Sequence, residues 1–506
     1  MLFLWFASGI VMMYVEYPEL TEEERLRSLP ELDISSIEYG LDEIQPELAA
    51  DHQISTIKLT SIVGRPTYEL ELRDPYGSVH NTRLFADSGE YLPAVTQETA
   101  KSAAVIYAEN LELEAEPEYL DAIDMDQWTI SGALRSHRPL HKVSLNDERG
   151  TILYISDLTG QVVLDTHRWE RNWNWIGSTI HWIYPLQLRR HSALWADIVV
   201  WGSIAAIAAV FTGTIVGFLR LRIRRRYKHG RMTPYSGWQK WHHLFGIGCA
   251  AFIGMFLVSG LLSMSPFGLF ENKTSPFPQV ARYYSSGSII EEDYLNGFET
   301  NLANLDHAIE QAQGAKPHIK ELSWKAIGGV GVLTSYSENS RSTINLSRQE
   351  LELHIVQTAT QLLPDSQLLE LETLDQFDNH YYSTHNRHRP LPALRAKFND
   401  EEKTWYYIDK LTGEVLNRST AVDRQRRWLY NGLHSLDFRF LLNHRPLWDL
   451  VILTLSALGI IFSSTAVVIG WKRLLKTKPP KFWRTKPLPS PDGLQICKPL
   501  LANRSL

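Results

Sequence analysis

Six histidines have residue types and spacings suited to metal chemistry: His181, His191, His242, His243, His434 and His444. Four of them fall into register pairs, since His434 follows His181 by 253 residues and His444 follows His191 by the same interval. The pairing belongs to a longer repeat. Residues 424–471 align without a gap on residues 171–218, with Leu447 on Leu194 and Trp448 on Trp195. Imidazole is the commonest metal ligand among side chains. In both copies a histidine-bearing aromatic segment leads into a long apolar run, the pattern of a membrane helix with a metal ligand at its mouth.

Within one copy the two histidines do not share a helical face. Ten positions at roughly 100° per residue leave them about 80° apart in direction, and Pro185 interrupts the first copy. Pairing is therefore expected between copies. If both halves cross the bilayer in the same sense, a pseudo-two-fold axis along its normal sets His181 level with His434 and His191 level with His444. His191 and His444 begin the membrane helix proper, three residues before Leu194 and Leu447, whereas His181 and His434 lie on an aromatic stretch suited to the interface. His242 and His243 stand with Trp238 and Trp241 at the entry of another apolar run. The plainer readings are that these side chains cap helix ends, meet lipid phosphates or anchor at the interface.

Apolar runs at 1–15, 194–219, 242–266 and 448–471 supply the helices that must hold these residues. The last three are long enough to cross about 30 Å of hydrocarbon at 1.5 Å per residue. Basic clusters follow two of them: Arg220, Arg222, Arg224, Arg225, Arg226, Lys228 and Arg231 in the 220–240 loop, then Lys472, Arg473, Lys476, Lys478 and Lys481 in a 472–506 tail. The positive-inside rule places both clusters and both termini in the cytoplasm, and blocks 16–190 and 268–440 on the other side. The string Phe6 to Ile10 resembles Leu257 to Leu261 of the third run, whose upstream part carries His242 and His243. The expectation is that the first helix lacks its cytoplasmic end here and that a matching histidine lies upstream. A cleaved signal peptide is the rival, without a basic region before Leu2 or a small-x-small site before Glu16.

The two blocks read as mixed strand and helix. Tyr68 to Leu72 and Thr151 to Ile155 alternate as half-buried strands, Gly89 and Gly160 close turns, and Thr96 to Glu109 is helical. In the second block Ser323 to Ser335 alternates with glycine breaks, and Gln349 to Leu363 is helical. The first block is expected to hold two small α+β modules in tandem. Only Cys249 and Cys497 occur among 506 residues, which excludes a disulfide framework and cysteine-ligated zinc or iron–sulfur sites. Asp197 and Asp449 suit helix entries. Arg138 and Arg389, in His-Arg-Pro-Leu strings at 137–140 and 388–391, suit salt bridges or an anionic chelate; Met12, Met13, Met255 and Met264 suit packing. Gly328 to Gly331 lacks the lysine and hydroxyl of a nucleotide loop. The topology accounts for the basic clusters, so no nucleic acid is expected as a partner.

The strings Tyr154-Ile155-Ser156-Asp157-Leu158-Thr159-Gly160-Gln161-Val162 and Tyr407-Ile408-Asp409-Lys410-Leu411-Thr412-Gly413-Glu414-Val415 resemble the strand, turn, strand signature of PepSY domains. With the flanking helices, nearly the whole chain is similar to the PepSY-associated transmembrane family of bacterial inner-membrane proteins. The resemblance implies four transmembrane helices in a duplicated membrane α-helical bundle, with two large extracytoplasmic α+β PepSY-like domains. Some members are iron-regulated reductases of ferric siderophores that carry b-type haem. Two histidines at one depth on facing helices would bind haem iron axially, so the resemblance directs attention to His181, His434, His191 and His444, with His242 or His243 as ligands of a second haem. The lipid bilayer, a separate cytoplasmic electron donor and an external ferric chelate are the partners implied. Two other readings stay open: a peptide-binding or protease-regulating PepSY protein without catalysis, and a transporter accessory subunit.

Overall fold

A computed structural model describes residues 1–41, 53–73, 79–273, 280, 283–284, 291–305, 318–384 and 388–476. Cys497, Lys478, Lys481 and the tail beyond residue 476 lie outside them. The described residues form three antiparallel sheets above a set of long apolar helices.

The two sequence copies each build the same four-stranded meander. In the first, β4 (Glu118–Ile123), β5 (Leu140–Ser144), β6 (Ile152–Ser156) and β7 (Val162–Thr166) pair in order; in the second, β11 (Leu368–Leu374), β12 (Ala393–Phe398), β13 (Trp405–Asp409) and β14 (Val415–Ser419) do the same. The turns after β6 and β13 need a left-handed residue, and the repeated glycine supplies it: Gly160 at φ +68° and Gly413 at φ +72°. The ladder shifts register at equivalent places, between Tyr154 and Ile155 and between Tyr407 and Ile408. One helix covers each sheet. Helix α3 (Gln97–Asn110), capped by Thr96, buries Ala100, Ala103, Ala104 and Tyr107 against Val143, Leu153 and Ile155. Its counterpart α10 (Arg348–Thr358), capped by Ser347 and Glu350, sets Leu351 and Ile355 on Leu394, Ala396 and Ile408.

The first block does not stand apart from the second. Strands β1 (Gln53–Ile62), β2 (Arg65–Arg73) and β3 (Val79–Phe85) of the first block join β8 (Glu321–Ile327), β9 (Val330–Tyr336) and β10 (Arg341–Thr343) of the second in a single six-stranded sheet. The seam is β1 against β8, where Ile57 faces Trp324 and Leu59 faces Leu322. Both strands are apolar on the face that turns inward, so pairing them merges two half-cores. Tyr68, Leu70 and Leu72, the alternating set on β2, share that core with Tyr294 and Phe298 of α9 (Glu291–Ala303). A buried carboxylate, Glu321, receives Lys58 at 2.8 Å across the seam and Arg25 of α2 (Glu22–Ser28) at 2.7 Å.

Below the sheets lie α1 (Leu2–Met12), α7 (Ser192–Arg220), α8 (Gly237–Ser263) and α13 (Arg445–Lys476). Three of them, α7, α8 and α13, are long and apolar enough to cross a membrane; α1 is a shorter apolar helix. The three helices begin a few residues before the apolar runs, so His242 and His243 sit within α8 rather than at its first residue. Helix α8 packs against both α7 and α13, and α1 packs against α13. Phe6 lies where Gly459 leaves room: a Cβ there would come within 2.5 Å of the Phe6 ring. Cys249 is buried in the same apolar cluster with Phe6, Ile253 and Leu257. Leu194, Trp201, Phe211 and Leu219 of α7 are exposed, an apolar surface suited to hydrocarbon rather than water.

Candidate functional site

Each repeat delivers one histidine to the bundle in the same way. Strand β7 leads into α4 (Arg168–Ile176) and then α5 (Ser178–His181), which ends on His181. Strand β14 leads into α11 (Ala421–Arg426) and a π-helical turn, Arg427–Gly432, two residues before His434. The backbone then reverses through a left-handed residue at equivalent positions, Ile183 and Leu436, both at φ +53°. A tryptophan in the first turn of the next long helix fixes the segment: Trp195 Nε1 donates to the Trp182 carbonyl and Trp448 Nε1 to the Ser435 carbonyl, each at 2.9 Å.

Both imidazoles then dock on the first helix of their own repeat. His181 Nδ1 lies 3.1 Å from Ser8 Oγ and 3.1 Å from the Trp5 carbonyl of α1. His434 Nδ1 lies 3.1 Å from Ser259 Oγ and 3.2 Å from the Phe256 carbonyl of α8. The serine protons are already committed, Ser8 to the Leu4 carbonyl at 2.6 Å and Ser259 to the Met255 carbonyl at 2.7 Å. A carbonyl can only accept, so each Nδ1 must carry the hydrogen and each Nε2 the lone pair. Among the described residues neither Nε2 has a hydrogen-bond partner. Gly9 and Gly260, the residues after the serines, let the rings approach: a Cβ would meet His181 Cε1 at 3.4 Å and His434 Cε1 at 3.2 Å.

The two repeats bring these rings together. Their centroids are 6.2 Å apart with planes at 69°. Phe256 meets His434 edge-on at 5.8 Å and Tyr430 lies 5.5 Å from it, so the pair is walled by aromatic rings. No carboxylate or thiol completes a set, for among the described residues no three His, Cys, Asp or Glu side chains cluster as metal ligands.

The other histidines are placed differently. His191 is the N-cap residue of α7 and is exposed. His444 is exposed, and its Nδ1 bonds the Phe440 carbonyl at 2.8 Å in its own segment. The structure records no ring contact between them. His242 stacks on Phe462 of α13 at 4.8 Å, with Nδ1 2.9 Å from Thr465 Oγ1. His243 faces the opposite neighbour, donating from Nε2 to the Gly217 carbonyl of α7 at 2.9 Å, and its buried Nδ1 has no partner among the described residues. Asp197 and Asp449 sit in the second turns of α7 and α13, and Met13 and Met255 pack with Leu436, Trp448 and Ile452. Arg138 donates to the Thr129 carbonyl at 2.8 Å, while Arg389 lies over the Tyr381 ring. The two His-Arg-Pro-Leu strings are not equivalent in space: the Pro139 carbonyl accepts from Asp157 as the Pro392 carbonyl, not that of Pro390, accepts from Lys410.

Sequence reasoning passed over Ser8 and Ser259 as site residues. Their signal was the repeated Ser-Gly doublet, spaced 251 residues rather than 253. Fold and site thus define a duplicated helical-bundle protein with antiparallel sheets and a pair of facing imidazoles. No protein-family model matches the chain, and no curated protein matches it.

Proposed function

We propose that this chain is a PepSY-like electron-transfer protein of the bacterial inner membrane, holding b-type haem between His181 and His434 and reducing a ferric chelate of siderophore type at its outer face. In this reading α1 is the fourth membrane element, both termini are cytoplasmic and the sheets are periplasmic. One observation carries the proposal: two equivalent imidazoles face one another with Nδ1 anchored and Nε2 free.

The donor set fits the group. His181 and His434 would hold the group: their ring centres lie 6.2 Å apart and each Nε2 keeps its lone pair. Two imidazoles with no third protein donor among the described residues would suit a porphyrin, which supplies nitrogen donors of its own. When bound, haem supplies one-electron chemistry between ferric and ferrous iron.

The chain's own groups do the rest. Ser8, Ser259 and the Trp5 and Phe256 carbonyls hold the tautomer and the ring orientation, which keeps the ligands basic. Phe256, Tyr430 and the apolar helices exclude water. Release of iron follows because a chelate built for the hard ferric ion holds ferrous iron less well. The electron donor is a separate cytoplasmic molecule.

The test is an absorption spectrum of the purified full chain with and without dithionite. A reduced b-type band that vanishes in His181→Ala and His434→Ala supports the reading. A folded but colourless preparation overturns it and leaves a membrane-tethered binding module.

A further inference from the structure

Among the differences between the repeats, one beside the site changes its charge. In the first, Asp126 accepts from the Trp128 amide, the Trp128 ring meets Trp175 at 5.9 Å, and Asn174 is buried and satisfied. Its amide donates to the Glu16 and Glu170 carbonyls at 2.8 and 3.1 Å and accepts from Ser178 at 2.7 Å. In the second repeat Asp378 accepts from the His380 amide at 2.8 Å, so His380 stands where Trp128 does, and its ring meets Trp428 at 5.9 Å. Arg427 stands where Asn174 does.

The substitutions turn a satisfied pocket into a cationic one. Arg427 is only 8% exposed, and it lies over Trp428 at 4.3 Å and Tyr382 at 5.0 Å. Its Nη2 donates to the Asp437 carbonyl, but Nε and Nη1 are buried without partners among the described residues, as is Nδ1 of His380. Arg424 lies over Trp405 at 3.9 Å and, among the described residues, donates only to the Ser419 and Lys403 carbonyls. Neither Arg424 nor Arg427 makes an ion pair among the described residues, whereas Arg395 is matched by Asp378 and Glu372, and Asp437 accepts from Tyr382 at 3.0 Å. Burial lowers the His380 pKa; Asp378 opposes that, and Arg427, Arg424 and Arg395 add to it. An open groove of about 490 Å³ is lined by Asn379, Trp428, Phe438, Arg439, Phe440 and Asn443, and its Trp428 is the ring that Arg427 and His380 touch.

We propose that Arg427 and His380, reached through the groove beside Trp428, form a carboxylate-binding site built only in the second repeat. Nε and Nη1, on different sides of the guanidinium, can each donate to a carboxylate oxygen, and the aromatic walls strengthen such charge-assisted bonds. The carboxylate comes either from a soluble anionic chelate or from a porphyrin propionate. The inference rests on the proposed function only in naming those sources; the site itself needs no haem.

The experiment titrates citrate, a tricarboxylate, into the detergent-solubilised full chain by calorimetry, for the native protein, Arg427→Asn and Arg427→Lys, with the haem content of each recorded. Saturable binding that weakens tenfold or more in Arg427→Asn, less in Arg427→Lys, at unchanged haem content assigns the site to a soluble chelate. Absence of citrate binding together with haem loss from Arg427→Asn assigns it to a propionate. Equal citrate affinity in all three proteins, or no citrate binding with haem content unchanged, overturns the proposal. Where citrate binds, it must also raise the thermal midpoint of the native chain and not that of Arg427→Asn; where it does not, native and Arg427→Asn chains must unfold at the same midpoint without haem, which in each case separates lost binding from lost folding. A chain that binds citrate and carries no haem retains this site and loses the redox reading.

Discussion

His434 Nδ1 lies 3.1 Å from Ser259 Oγ, and that hydroxyl has already given its proton to the Met255 carbonyl. The serine therefore serves the ring as an acceptor, and His181 with Ser8 repeats the arrangement at the same distance. On the proposed reading, Ser8→Ala and Ser259→Ala each lower haem affinity about tenfold, the smaller end of the effect of removing an outer partner of a ligand. The Trp5 and Phe256 carbonyls still hold the ring. Haem transfer to apomyoglobin measures this, and transfer rates equal to those of the native chain would remove the serines from the site.

His191 and His444 cap and flank helix entries, exposed and apart. His191→Ala and His444→Ala are expected to change stability by no more than about 0.5 kcal/mol and to leave the reduced spectrum intact. Loss of the band in either variant would reassign the ligands.

Gly459 admits the Phe6 ring, and an added Cβ would sit 2.5 Å from it. Gly459→Ala should cost about 1–3 kcal/mol through overpacking, and Phe6→Ala in the same chain should recover most of that loss. Thermal midpoints of the two single variants and the double variant give the coupling; additive effects would mean that α1 does not pack on α13 as described.

Glu321 ties the seam between the repeats. Burial by itself would raise its pKa, but Lys58 and Arg25 together hold the carboxyl down at about 2. A folded pKa below the unfolded value near 4.5 means stability that is fully present above pH 4.5 and lost as pH falls toward 2. Intrinsic tryptophan fluorescence, to which Trp324 on β8 contributes, should show the thermal midpoint falling across that window, with a shallower fall in Glu321→Gln. At neutral pH that variant should lose about 3 kcal/mol, the low end for breaking a buried pair whose cations keep some contact with water. An identical pH slope in both proteins would show that the carboxylate is not the linked group.

Much of the architecture was legible beforehand because it depends on local patterning. Alternation at Tyr68, Leu70 and Leu72 named a strand face, Thr96 and Ser347 sit where a helix cap is wanted, and Gly160 and Gly413 supply φ values that other residues resist. The apolar runs named the three long helices. The merged six-stranded sheet was not legible, since β1 and β8 are separated by more than 250 residues and nothing in either says which edge it will meet.

The amino-acid sequence alone determined the duplication, the long apolar helices and the candidate histidines, because repeat register and hydrophobic period are properties of the chain read in order. Only the tertiary structure decided among the histidines. Helical phase and the packing of α1 and α8 bring His181 and His434 within 6.2 Å, while His191 and His444, copied just as faithfully, stay apart. Register makes two residues equivalent, but a symmetry axis brings equivalent residues into contact only where they point toward it, and that depends on how the helices pack.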